Sequence, residues 1–176
     1  MTTYYPEGRP LGVSAPGKGS IIVAPATMTD RSAPTVTHFA SPTGFAIHKD
    51  VVAWNPTPDV PMNPDNRYGD AEVVQEFGIP TWTIPDFTVV YDPQNPDSEE
   101  YQAYLKLQPG TVWEIFDRRG LPADLLVAVG QVGDLFQVEI GPVRRREQIT
   151  VDNVQKLRST LFVRLTQRVL QDIALA

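Results

Sequence analysis

The sequence predicts a mainly β, α+β fold with one helix and long proline-rich loops. Three observations predict it. Several runs after Asp70 are rich in β-branched and aromatic residues. One stretch carries helix start and stop signals. Ten of the 17 prolines fall in residues 1–65, where fixed φ angles and missing N–H groups exclude long helices and central strands throughout. The 176 residues suggest one domain spanning 1–176.

Residues 1–19 are expected to form an extended arm. Within it GVSAPGKGS, Gly12 to Ser20, comes close to the phosphate loop G-x-x-x-x-G-K-[ST]. Gly19 stands where the magnesium-binding hydroxyl belongs. A phosphate loop follows a strand and opens a helix, whereas here β-type SIIVA, 20–24, follows the motif. Tight turns explain the glycines better than a nucleotide does. PATMTDRSAPTVTHFASP, 25–42, reads as a long loop. GFAIHKDVVAW, 44–54, offers further strand. NPTPDVPMNPDNRYGD, 55–70, reads as a second long loop. Loops of this length are uncommon unless they are disordered or committed to contacts.

AEVVQEFGI, 71–79, and TWTIPDFTVVY, 81–91, read as strands, with an edge or bulge at Pro85. In NPDSEEYQAYLKLQPG, Asn95 caps a helix, Pro96 suits its first position, and Asp97, Glu99 and Glu100 favour its positive end. Tyr101, Tyr104 and Leu105 make the expected buried stripe, and Pro109–Gly110 stop it. TVWEIFDRRG, 111–120, and GDLFQVEIGPVRRR, 133–146, are strands. In the second, Phe136, Val138 and Ile140 are expected to face inward, and Leu135, Gln137 and Glu139 outward. The tail VQKLRSTLFVRLTQRVLQDI fits either a strand, with Leu157, Leu161, Val163, Leu165 and Val169 on one face, or a helix with an apolar residue every fourth position. Periodicity leaves both open.

Composition excludes several functions. There is no cysteine, hence no disulfide frame, thiolate zinc site or cysteine nucleophile. No apolar run approaches the roughly 20 residues of a membrane span, and MTTYYPEGRP lacks the charge and apolar core of a secretory leader. The two histidines, His38 and His48, have no ligand at helical spacing. No serine sits in a G-x-S-x-G turn, and no cofactor motif is present. The net charge of −6 is unevenly spread: −1 over residues 1–65, −9 over 66–140 and +4 over 141–176. An acidic middle and a basic end suit head-to-tail contacts between copies, though they also suit pairing within one subunit. The basic clusters Arg118–Arg119 and Arg144–Arg146 lack interleaved aromatics and sit in an acidic chain, against nucleic-acid binding.

The ordered series IPDFTVVYDPQNPDSEEYQAYLKLQPGT, WEIFDRRGLPADLLVAVGQVGDLFQVEIGPVRRR and LRSTLFVRL resembles the major tail proteins, the tail-tube subunits, of long-tailed phages of actinobacteria. The resemblance runs from Phe77 to the C-terminus. It implies a β-sandwich or barrel-like subunit with one flanking helix, and a strand rather than a helix at 155–170. It implies a virion structural protein without catalysis, assembled in the host cytoplasm into hexameric rings. These stack into a tube through which DNA passes, in a tail of the non-contractile kind. Its partners would be copies of itself, the tape measure, tail terminator and baseplate proteins, and phage DNA in transit. Arg118, Arg119, Arg144, Arg145 and Arg146 are then expected at contacts between subunits. The 1–19 arm and the 25–70 loops are expected between rings. Other readings are a tail terminator, baseplate or decoration protein, or a carbohydrate-binding sandwich with Trp82 and Trp113 on one exposed face.

Overall fold

A computed structural model describes residues 17–65, 74–92, 94, 102–151 and 154–176. The expected features at 1–16, 66–73 and 95–101, including most of the arm, the Asn95 cap and Tyr101, lie outside the described residues. The main sheet runs in the order β2-β1-β8-β9-β10-β7, with β11 added beside β9, and all its pairs are antiparallel. Its strands are β1 Gly19–Pro25, β2 Phe45–Ala46, β7 Phe87–Val90, β8 Val112–Arg119, β9 Val132–Val151, β10 Val154–Leu165 and β11 Leu170–Ala174. The tail is therefore strand, in two pieces.

The sheet curls into a half-barrel, and segment 45–52 draws its margins together. Ile47 N donates to Ile21 O of β1 at 2.8 Å, and Val52 N donates to Thr88 O of β7 at 3.0 Å. A bridge joins Val51 to Val89. Inside the curl lie Ile21, Val23, Phe87, Val89, Ile115, Phe136, Val138, Ile140 and Leu161, with Trp54 and Trp82 packed against them. The alternation of side chains across a strand puts the neighbours of these residues on the opposite face. That face is covered too. Ile22, Ala24, Phe116 and Leu135 pack there against Phe39 and Leu175. The expectation that Leu135 and Gln137 face water is thus corrected. Both are buried: Phe39 of a short helix and Leu175 at the chain's end lie over Leu135, and Gln137 meets Glu114 and Thr166.

That helix, α1 Val36–Phe39, occurs within the stretch expected to be a loop. The second expected loop contains β3 Thr57–Asp59 and β4 Met62–Asp65. These pair with β6 Thr81–Thr83 and β5 Val74–Phe77, and form an arm outside the main sheet. Strands of three or four pairs leave too little local pattern to read from sequence. TWTIPDFTVVY is split at 84–86. Pro85 cannot donate to a ladder, and there Asp86 takes over by accepting from Val163 N at 3.0 Å. The described part of the helix, α2 Gln102–Lys106, buries Ala103 and adjoins buried Leu107. Tyr104 and Leu105 are half-buried, so the stripe is shifted from the expected one. A small residue at 103 lets the helix backbone approach the sheet, where Asp50 accepts from Ala103 N at 2.9 Å.

Candidate assembly surfaces

The five arginines singled out in the sequence have separate fates. β8 delivers Arg118 to the covered face of the sheet, where it is completely buried. Its guanidinium donates to Gln131 Oε1 at 2.7 Å and to the carbonyls of Pro122 and Leu125, both at 2.9 Å. Gln131 Nε2 in turn donates to Leu126 O at 2.9 Å. One side chain thus gathers the loop that follows the Gly120 turn. Burial lowers its pKa, against an opposing pull from Asp124. Arg119 points the other way, is 59% exposed, and donates to Asp117 Oδ2 at 2.8 Å. That hydrogen bond raises its pKa.

Arg144 and Arg146 lie on the core side of β9, opposite Leu161 and Ser159 of β10. Both reach back to α2. The Arg144 guanidinium sits 4.5 Å from the centre of the Tyr104 ring and donates to Leu107 O. Arg146 donates to the Tyr104 hydroxyl at 3.2 Å. Cation–π contacts of this kind hold an exposed element by about 0.5–1 kcal/mol each. Arg145 lies on the opposite face, 69% exposed, paired with Glu147. The RRR run is therefore two groups by strand geometry: two clasps for the helix and one outward cation.

Two parts of the backbone have edges to spare. Among the described residues β9 beyond Ile140 pairs with β10 alone, and β10 before Arg158 pairs with β9 alone. The two strands continue as a ribbon past the body of the sheet. The arm is the second feature. Met62, Phe77 and Ile79 are 58%, 78% and 83% exposed there.

A buried polar cluster was missed in the sequence. Glu114 on β8 is completely buried. His38 Nε2 lies 2.7 Å from its Oε2, and Arg31 Nε lies 3.8 Å from its Oε1. Arg31 also donates to Arg168 O at 3.0 Å, so the cluster ties segment 31–39 to the sheet and to the C-terminal region. Ser20 Oγ and His48 Nδ1 are 3.1 Å apart, at the wall of an apolar cavity of about 570 Å³ that Asp124 also lines. Burial, with Lys49 and Arg118, lowers the pKa of His48. Ser20 is only 2% exposed, and Asp50 spends an oxygen on Ala103 N. The pair joins segment 45–50 to β1. Among the described residues no three acidic or histidine side chains converge as a metal site would require. No helix among them is long and apolar enough to cross a membrane. Trp82 and Trp113 form no shared exposed platform. Trp82 packs edge-on against Phe136 at 5.6 Å, and Trp113 against Phe45 at 5.7 Å.

A curled antiparallel sheet with an overhanging ribbon, open edges and an apolar arm has the build of an assembling structural subunit. A family model described as phage tail tube protein matches residues 8–175. The chain belongs to the phage tail tube protein family, and is a structural component of the virion tail. A search of curated proteins finds no match.

Proposed function

We propose that this protein is the repeating subunit of the tube itself. Copies join edge to edge into hexameric rings, the rings stack, and phage DNA passes down the lumen during delivery to the host. The observation that carries this reading is the overhanging β9–β10 ribbon, with backbone groups on both outer margins free of intrachain strand partners among the described residues. Exposed strand edges are an aggregation liability. Closing them against identical neighbours around a ring removes that liability and uses the same hydrogen bonds for assembly.

The whole of 1–176 acts as one tail-tube domain, with residues 1–19 and parts of 25–70 between rings. Arg145 and Arg119, whose side chains are largely exposed, are the arginines best placed for neighbouring subunits. Arg144 and Arg146 support that surface by holding α2, and Arg118 shapes the adjoining loop. The lumen is acidic or neutral, because a basic lining would hold phosphates in a salt-dependent way. The tape measure protein occupies the lumen before ejection, terminator and baseplate proteins close the ends, and assembly takes place in the host cytoplasm. Size-exclusion chromatography and negative-stain microscopy of the purified chain test this. Tubes support the reading. Closed rings that never stack favour a terminator, and monomers at high concentration refute it.

A further inference from the structure

We propose that the cavity beside the start of β1 is the seat of this chain's own N-terminal segment, with Leu11 and Val13 as the side chains that fill it. Such docking is a property of the single subunit and does not depend on tube assembly.

The described residues begin at Gly17, and the chain is pinned there. Gly17 O accepts from Ala123 N at 2.9 Å, and Lys18 O accepts from Gly120 N at 3.2 Å. A φ of 69° at Gly17 turns the backbone. Ala123 is also the first of residues 123–127, which line the cavity of about 570 Å³. Ser20 and Ile22 of β1 line it too, as do Phe39 and Ala46. The sixteen residues before Gly17 therefore start beside the cavity's wall.

The loop's own bonds hold the cavity open. Arg118 and Gln131 bind the carbonyls of Pro122, Leu125 and Leu126, so the loop cannot fall onto β1 without breaking them. Leu125 and Leu126, both of which line the cavity, are 45% and 83% exposed. Covering such apolar surface with another apolar chain is favourable.

The segment reads MTTYYPEGRPLGVSAP, and Val13 and Leu11 are its first large apolar residues counted back from Gly17. At about 3.3–3.6 Å per residue, an extended chain puts Val13 within about 14 Å of Gly17 and Leu11 within about 20 Å. Pro10 and Pro16 flank the pair, and their fixed φ reduces the freedom lost on docking. So short a tether holds these side chains at an effective concentration of roughly millimolar or above, which favours the chain's own segment over that of a second copy in dilute solution. The cavity wall also offers a polar contact. His48 Nδ1 lies 3.1 Å from Ser20 Oγ, and His48 Nε2 is buried without a partner among the described residues. An extended backbone passing that wall brings the N–H and C=O groups that such a nitrogen needs. Residues 1–10, with Tyr4 and Tyr5, stay outside the cavity and are left for contacts between rings.

Thiol protection tests the docking in a chain that has no cysteine of its own. Ala46→Cys puts a thiol at an exposed position that lines the cavity. Val143→Cys, on an exposed part of β9, serves as the control. Labelling by a maleimide is timed on dilute protein that sedimentation shows to be monomeric, with and without Leu11→Ser and Val13→Ser. The two serine substitutions should speed labelling at position 46 by roughly tenfold or more, the equivalent of about 1.4 kcal/mol, and leave position 143 unchanged. Equal rates at position 46 overturn the proposal, and so does a control that quickens as much. Protection that strengthens with protein concentration assigns the cavity to the segment of a second copy and overturns docking within the chain. Tube formation by the unaltered chain is read separately, and its failure leaves the docking untouched.

Discussion

Replacing Arg118 by Met should loosen the loop from Leu121 to Gln131 while leaving the sheet intact. Met keeps most of the methylene stem that packs in the core and removes the guanidinium. Three hydrogen bonds of 2.7 to 2.9 Å are lost. A bond to a charged group contributes about 1.5–3 kcal/mol net when buried. The loop is wet on its far side, with Leu126 83% exposed, so its carbonyls can regain water as the loop lifts. About 1 kcal/mol per bond is then the fair figure, or about 3 kcal/mol in all. For a chain of this length that lowers the melting temperature by roughly 6–12 °C, measured on unassembled protein. Hydrogen exchange should locate the damage. The Ala123 and Gly130 amides, bonded to Gly17 O and Leu175 O at 2.9 and 2.8 Å, should lose protection, while Ile115 and Phe136 keep theirs. Arg118→Lys should recover little, since an ammonium lacks the planar fork that reaches several acceptors. A melting temperature within about 2 °C of the original, with unchanged exchange at Ala123 and Gly130, would refute the reasoning.

Glu114→Ala strands Arg31 and His38 in a buried site and should cost about 3 kcal/mol, with protection lost first across residues 31–39; unaltered melting would contradict this. A Cβ at Gly44 would lie 2.2 Å from Phe39 O, so Gly44→Ala should destabilise by about 3 kcal/mol, and a chain melting normally would show that the approach is not tight. Burial holds the Asp50 carboxyl above its usual range, partly offset by the Ala103 N–H. Its contribution is therefore fullest below the ordinary carboxylate pKa and is lost as pH rises through the raised value. Asp50→Asn keeps an acceptor for Ala103 without the charge, so its stability relative to the original chain should climb as pH rises from the ordinary carboxylate range through the raised value and then level; a flat difference counts against it. Removing residues 1–16, and stopping before Gly17 and Lys18 whose carbonyls hold Ala123 and Gly120, should leave a folded subunit that assembles poorly, and normal tubes from it would remove the role of the N-terminal segment.

Legibility in the sequence followed the range of the forces involved. Strands β1, β8 and β9 stood out because β-branched and aromatic residues recur with the pleat, a local property of three to eight neighbours. Even the near-miss to a phosphate loop resolved locally, since SIIVA enters β1 straight after it. The family was legible too, from an ordered series of such segments, each undistinguished alone. The arm's short strands were not, because pairs such as Met62 with Phe77 are made across fourteen intervening positions and leave little periodicity in either strand.

By itself the sequence determined that this protein is mainly β, lacks cysteine chemistry, and separates its acidic and basic residues along the chain. Only the tertiary structure decided which face of each strand meets water. Alternation put Gln137 on the outward face of its strand, yet it is buried, as are the charged Glu114 and Arg118. A charged or polar group survives burial only when its partners arrive, and theirs come from a helix, from the loop after Gly120 and from a C-terminal segment. The same physics split the arginine run: three adjacent cations look alike in a row of letters, and the pleat turned two toward Tyr104 and one toward solvent.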